Sequence, residues 1–137
     1  MIVAVDFDGI LCRDEFPEIG DPNYEVISFV RDLIYDGHEV VLWTCRVNQR
    51  LVEAVEWCRD RGLRFCAVND NAPSNRAKYE KEYPHGTRKV YADVYLDDNS
   101  AEFRSLAEGM VVWRHQSGYD VALEHMMYTA RKVIYSD

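Results

Sequence analysis

The sequence predicts an α/β fold with one doubly wound, mainly parallel five-stranded sheet and helices on both faces. Short apolar runs alternate with amphipathic segments along the chain, as in proteins built from strand–helix–strand units. The 137 residues, 47% of them hydrophobic, suffice for one buried core. No internal repeat or linker divides the chain, so residues 1–137 are predicted to form a single domain.

The first predicted unit is a strand followed by a helix. Ile2 to Val5 is a continuous apolar run, which is typical of a parallel strand covered on both faces. Residues 21–37 have the pattern of a helix, because Pro22 suits the first turn, an apolar stripe follows, and Gly37 can end it.

The remaining elements follow the same alternation. Further strands are predicted at 39–44, 64–68, 93–98 and 110–113, and further helices at 49–61 and 119–134. Residues 69–89 are polar and rich in turn residues, with a short helix expected near 74–82.

Charge and composition exclude several classes of function. A net charge of -8 argues against binding a polyanion through overall charge, although it leaves room for a local basic pocket. The four cysteines lack zinc-site spacing, so reduced thiols in a cytoplasmic protein are expected. The opening apolar run is too short for a membrane span or a signal peptide, which predicts no membrane association.

Polar side chains follow three of the predicted strands at their carboxyl ends, where ligands bind in open α/β sheets. These residues are Asp6 and Asp8 after the first strand, Thr44 and Arg46 after the second, and Asp97 and Asp98 after the fourth. Crowded carboxylates need a compensating cation, and oxygen ligands without His or Cys favour Mg²⁺.

These groups together suit phosphoryl transfer. Asp6 is the candidate nucleophile, since a carboxylate can attack phosphorus and form an acyl phosphate that water hydrolyses. Asp8 is the candidate general acid and base. Thr44 and Lys89 are expected to bind the phosphoryl oxygens. Arg46 either binds the substrate anion or caps a turn.

The same residues, in this order, resemble the haloacid dehalogenase superfamily. The motif DxDG matches Asp6 to Gly9, the Ser or Thr that ends strand two matches Thr44, and the motif lysine matches Lys89. The paired acids after a later strand match Asp97 and Asp98. The resemblance covers roughly residues 1–100 and extends to small capless hydrolases of bacteria and phages.

The resemblance implies a Rossmann-like core without a cap domain and a Mg²⁺-dependent phosphatase. Asp6 would be both nucleophile and metal ligand, Asp8 would bind the metal through its carbonyl, and Asp97 would be a further ligand. Asp98 would act beside the metal or through water. The open site implies a phosphorylated substrate, a small molecule or a nucleic-acid end, or a partner subunit that serves as a lid.

The chain departs from this family pattern at two points. Ile10 replaces the usual Thr after DxDG, and Lys89 lies only eight residues before Asp97, so Lys78 is kept as a second candidate for the motif lysine. The alternatives are a weakly active relative, or a receiver-like module, that binds phosphorylated ligands without turnover. The aromatic closing segment would pack on the sheet or form a homo-oligomer.

Overall fold

A computed structural model describes residues 1–109 and 116–136. The strands are β1 (Ile2–Val5), β2 (Cys12–Glu15), β3 (Glu18–Pro22), β4 (Glu39–Leu42), β5 (Ala67–Val68) and β6 (Val94–Leu96). The helices are α1 (Tyr24–Tyr35), α2 (Asn48–Asp60), α3 (Pro73–Tyr79), α4 (Ala101–Glu108) and α5 (Gly118–Ile134). The α/β class predicted from the sequence is confirmed.

The central sheet contains four parallel strands in the order β5-β4-β1-β6. From β1 the chain moves outward through β4 to β5 and then returns to place β6 on the other side of β1. The direction of winding therefore reverses between β1 and β6. In open α/β sheets such a reversal opens a crevice at the carboxyl ends of the two strands, which is where ligands bind.

One face of the sheet is covered by four helices. Val3, Val5, Val40 and Leu42 point to this face and pack against apolar residues of α1, α2, α4 and α5 in one large cluster. Alternate residues of the same strands point to the opposite face, as the pleat of a strand requires. The main core therefore lies between the sheet and these four helices.

The opposite face is covered differently from the prediction. Ile2, Ala4 and Val41 pack there against three residues from the connection between β5 and β6, namely Ala72, Val90 and Ala92. Helix α3 lies in this connection but buries none of its own residues. The predicted layer of helices on both faces is therefore replaced, on this side, mainly by irregular chain.

The predicted five-stranded sheet also differs from the observed one. Four of the five predicted strands are present, mostly shorter than expected, within the four-stranded sheet of the described residues. The fifth, predicted at 110–113, lies outside the described residues.

Three elements, β2, β3 and α4, were not predicted. Strands β2 and β3 form an antiparallel hairpin between Gly9 and Pro22, where the sequence predicted no strand. The hairpin is mostly exposed and its residues are polar, so no apolar alternation marks it. Helix α4 begins at a signal that was present in the sequence, since the Ser100 hydroxyl accepts a hydrogen bond from the Phe103 N–H.

Within the described ranges no helix combines the length and the apolar composition needed to cross a membrane. All four cysteines are free thiols, Cys12 and Cys58 being buried and Cys45 and Cys66 exposed. This agrees with the reduced state expected from their spacing.

The packing of α1 on the sheet can be tested by truncating its core side chain. Leu33 is fully buried, so Leu33→Ala should lower the free energy of unfolding by about 3 kcal/mol through lost burial and a cavity. Tyr35→Ala on the same helix removes a side chain that is 90% exposed and should cost less than about 0.5 kcal/mol. Urea denaturation measures both, and equal losses would contradict the placement of α1.

Candidate active site

Three carboxylates meet at the carboxyl ends of β1 and β6. Oxygen atoms of Asp6, Asp97 and Asp98 all lie within 4.8 Å of one another, and all three residues are half-buried. The backbone places them there, because the Asp6 N–H donates to the carbonyl of Leu96 at 2.9 Å and so extends the pairing of the two strands. Three of the predicted site residues are thus brought together where the winding of the sheet reverses.

The crowding changes the protonation of these acids. Burial, a hydrogen bond with Asp98 and repulsion from Asp97 raise the pKa of Asp6 to about 8, although the Phe7 N–H donates to its Oδ1 at 2.8 Å. Burial also raises the pKa of Asp98. Like charges at this separation cannot all be ionised without a compensating cation. Asp6 and Asp98 therefore share a proton near neutral pH when no cation is bound.

Gly9 allows the DxDG loop to pass close to Asp98. Its φ of +90° lies in the region that favours glycine, and a Cβ at this position would lie 2.1 Å from Oδ2 of Asp98. Any side chain at position 9 would therefore displace the Asp98 carboxylate. Gly9 is required both for the turn after Asp8 and for the approach of the third acid.

The loop is also tied to helix α5 by a network that the sequence did not predict. The Tyr119 hydroxyl donates to the Gly9 carbonyl at 2.7 Å, and the Asn23 amide donates both to that hydroxyl at 2.7 Å and to the Ile10 carbonyl at 2.8 Å. Burial is the main cause that raises the pKa of Tyr119 to about 12, so it stays a donor at neutral pH. Because 110 residues separate Tyr119 from Gly9, no local pattern could reveal this contact.

Asp8, predicted as general acid and base, is held by Arg46. The guanidinium Nε and Nη2 of Arg46 each donate to one Asp8 oxygen at 2.8 Å. The Asp8 side chain is 17% exposed and the Arg46 side chain is 1% exposed. Hydrogen bonding to Asp8 raises the pKa of Arg46 further above its usual value. The Asp8 side chain is not one of the three acids that meet around Asp6. Coordination through its carbonyl stays a prediction.

Arg46 also connects Asp8 to the hairpin. Its guanidinium donates to the backbone carbonyls of Pro17 and Glu18 at 3.1 and 2.9 Å, and it lies about 5.1 Å from the ring centres of Phe7 and Phe16. Of the two roles left open for Arg46, substrate binding and capping, neither describes what the structure shows. Asp8 and two carbonyls occupy four of its five N–H donors, so Arg46 is a structural clamp.

Thr44 lies where the sequence predicted, at the end of β4 and next to β1. Its N–H donates to the side-chain oxygen of Asn69 at 2.8 Å, and its Oγ1 accepts from the Arg46 N–H at 3.1 Å. Asn69, which has a φ of +52° after β5, was not predicted to have a role. The Thr44 hydroxyl keeps its own proton to donate to a ligand.

Lys89, the lysine expected at the site, forms no ion pair with the acid cluster around Asp6. Lys89 is exposed, and among the ion pairs of the described residues neither Lys89 nor Lys78 has a carboxylate partner. The ammonium group of Lys78 lies 5.3 Å from the ring centre of Tyr79 instead. Ile10 is fully buried in the main core, so its side chain packs the loop against the core.

Comparison with known proteins gives a relative but no activity. No family model matches the chain, and no curated protein does. A solved structure of a conserved protein from Bacteroides thetaiotaomicron aligns with 100% of this chain and 98% of its own length, with 31% sequence identity and a TM-score of 0.67. The chain belongs to the family of that Bacteroides protein. The name of the Bacteroides protein states no activity, so function is argued from the residues above.

The carboxylate oxygens of the acid cluster suit a hard divalent cation. Asp6, Asp97 and Asp98 supply only carboxylate oxygens, which is the ligand type that Mg²⁺ prefers. The raised pKa of Asp6 also agrees with a cation site, because a bound dication would offset the repulsion that contributes to it. Three of the four predicted metal ligands, Asp6, Asp97 and Asp98, form this cluster, and the Asp8 side chain lies outside it.

Metal binding should therefore release a proton. Because the pKa of Asp6 is raised from 3.8 to about 8, its contribution to stability is complete below about pH 4 and is lost as the pH rises to about 8. In EDTA this loss should be on the order of 4 kcal/mol between pH 5 and pH 8.5, because each pH unit between the two pKa values costs about 1.4 kcal/mol. Mg²⁺ should stabilise the protein more at pH 8.5 than at pH 6.

Thermal denaturation with EDTA or Mg²⁺ measures the stability difference, and calorimetry in two buffers of different ionisation enthalpy counts the protons. The Asp98→Asn variant is the matched control and should flatten the pH dependence. Mg²⁺ binding at pH 7 without proton release would contradict the shared proton.

Removing the Arg46 guanidinium should destabilise the protein strongly. Arg46→Met would leave Asp8 and two carbonyls without donors and should lower the free energy of unfolding by about 3 kcal/mol or more. The double variant with Asp8→Asn should lose less than the sum of the two single changes. Arg50→Met, which removes a half-exposed arginine on α2, should cost less than about 1 kcal/mol. Additive losses in urea denaturation would contradict the coupling.

Proposed function

We propose that the chain is a Mg²⁺-dependent phosphomonoesterase of the haloacid dehalogenase type that acts through an aspartyl-phosphate. One observation carries the proposal, the meeting of Asp6, Asp97 and Asp98 between β1 and β6 with oxygen atoms within 4.8 Å. A cluster of acids that share a proton is typical of a cation-dependent site. Its position at the reversal of the sheet, where ligands bind in open α/β sheets, supports the same function.

Each residue has a role in this reaction. An ionised Asp6 oxygen attacks phosphorus and the phosphorus–oxygen ester bond breaks, so that the phosphoryl group is transferred to Asp6 and the alcohol leaves with a proton. Water then attacks the phosphoryl group, which restores Asp6 and releases inorganic phosphate. The Thr44 hydroxyl, which follows β4, would donate to a phosphoryl oxygen. Bound Mg²⁺ would neutralise the carboxylates and the phosphoryl oxygens.

Asp8 is proposed as the proton carrier, with Arg46 fixing its orientation. It would protonate the leaving alcohol and then take a proton from the attacking water. Both Asp8 oxygens already accept hydrogen bonds from the guanidinium, and this geometry suits the acceptance of a proton better than its donation. Turnover should therefore be fastest on esters whose alcohols leave readily, such as aryl phosphates.

The clamp also favours a second candidate function. If the hydrogen bonds from Arg46 prevent Asp8 from transferring a proton, the chain would bind phosphorylated ligands at the acid cluster with little or no turnover. The exposed position of Lys89 supports this alternative, because no described lysine adds positive charge beside Asp6. The two candidates differ in turnover and agree on the Mg²⁺ site.

The decisive experiment measures phosphate release with Mg²⁺ and with EDTA. The substrates are p-nitrophenyl phosphate, sugar phosphates, nucleotides and oligonucleotides with 5′ or 3′ phosphates. Asp6→Asn should abolish turnover, and Asp8→Asn should lower it by about 10²-fold or more. Asp60→Asn, a change at the exposed end of α2, is the matched control and should keep full activity.

Turnover in the Asp6→Asn variant equal to that of the unchanged protein would refute the mechanism. Mg²⁺ binding without turnover on any substrate would favour the binding-only candidate. Trapping of phosphate on Asp6, detected by mass spectrometry after rapid quenching in acid, would distinguish the covalent route from direct attack by water.

A further inference from the structure

A cavity that is separate from the acid cluster lies beside the connection between β5 and β6. Its volume is about 420 Å³, within the range of small-molecule sites. Three tyrosines line it, Tyr79, Tyr83 and Tyr91, and all three are partly exposed. Tyr79 and Tyr83 lie with ring centres 6.3 Å apart and their planes inclined by 56°. Exposed tyrosines that converge on one cavity offer faces for a planar ring.

A buried amide adds hydrogen-bond donors to the same cavity. Asn71 is only 6% exposed, lines the cavity, and uses its side-chain oxygen to accept from the Tyr91 N–H at 2.7 Å. Its two amide N–H donors have no hydrogen-bond partner among the described residues. A ring with acceptor atoms at its edge would satisfy them.

The charge around the cavity differs from that of the rest of the protein. Residues 73–89 contain five of the 16 Lys and Arg residues and two of the 24 Asp and Glu residues, a local charge of +3 in a chain of -8. The lining itself is nearly balanced, because Asp70 and Glu80 oppose Arg76, which pairs with Asp70 at 3.0 Å. The cavity therefore suits an uncharged ring, and its surroundings suit an anion.

The cavity begins at the same edge of the sheet as the acid cluster. Asp70 and Asn71 follow Asn69, whose side chain is hydrogen-bonded to Thr44 at the end of β4. Strands β5 and β1 are separated by β4 alone, which is roughly 10 Å between their axes. A ligand with its ring in the cavity could direct a phosphate toward the end of β1.

From these four observations we infer that the cavity binds the base of a nucleotide, either a free nucleotide or the end of a nucleic-acid strand. Bases stack on aromatic side chains and are bound through their edges, while Lys and Arg attract the phosphates. The inference names the substrate class of the proposed phosphatase and rests on that function for catalysis alone. Binding itself requires only the cavity.

Calorimetry on the full chain carrying Asp6→Asn, with Mg²⁺, tests the inference without turnover. The ligands are AMP, a 5′-phosphorylated hexanucleotide, and ribose 5-phosphate as the matched ligand without a base. AMP or the hexanucleotide should bind at least about tenfold more tightly than ribose 5-phosphate. Tight binding of AMP indicates a free nucleotide, and tight binding of the hexanucleotide alone indicates a strand end.

Variants at the cavity separate stacking from general binding. Tyr83→Ala should weaken the base-containing ligand about tenfold or more, whereas Tyr83→Phe, which keeps the ring, should bind within about twofold of the Asp6→Asn protein. Tyr35→Ala removes a more exposed tyrosine, on α1 and outside the cavity, and should change nothing. Circular dichroism checks that each variant is folded.

Equal affinity for AMP, the hexanucleotide and ribose 5-phosphate, or full affinity in Tyr83→Ala, would overturn the inference. Base-dependent binding that needs Tyr83, found in a protein that hydrolyses no phosphate ester, would support the inference and refute the proposed phosphatase. Turnover of ribose 5-phosphate and AMP at equal efficiency would support the proposed phosphatase and refute the inference of a base-binding cavity.

Discussion

Repulsion among three carboxylates is the constraint on which the site depends. Asp6, Asp97 and Asp98 come from strands that are neighbours in the sheet but far apart in sequence, and the pairing of β1 with β6 forces them together. Burial and the neighbouring acids raise the pKa of Asp6 to about 8, so the cluster tolerates the crowding by keeping a proton. A site that retains a proton in this way is prepared to exchange it for a cation.

The rest of the architecture holds the loop that carries Asp6 and Asp8. Gly9 gives the loop its turn and leaves space for Asp98, and Tyr119 fixes its carbonyl from the opposite end of the chain. Arg46 performs a similar task for Asp8 and brings the hairpin against it. The loop is thus held from three directions, which is the rigidity that a nucleophile and a proton carrier require to keep their relative positions.

Sequence patterns predicted the parts of the fold that depend on local periodicity. The apolar run at Ile2–Val5 and the stripe in α1 gave correct elements, and the carboxyl-end rule placed Asp6 with Asp97 and Asp98. The hairpin was missed because its residues are polar on exposed strands. The pairing of Arg46 with Asp8 and the contact of Tyr119 with Gly9 join residues 38 and 110 positions apart, so they depend on tertiary structure that no local pattern encodes.

The long separation of Tyr119 from Gly9 also affects the order of folding. Contacts between residues distant in sequence form late, because the chain must first lose the entropy of closing a long loop. The pairing of β1 with β6, which joins Val3 to Val94, closes a loop of similar length, so the acid cluster and the Tyr119 contact both belong to the long-range part of folding. The site therefore becomes competent only when both ends of the chain have come together.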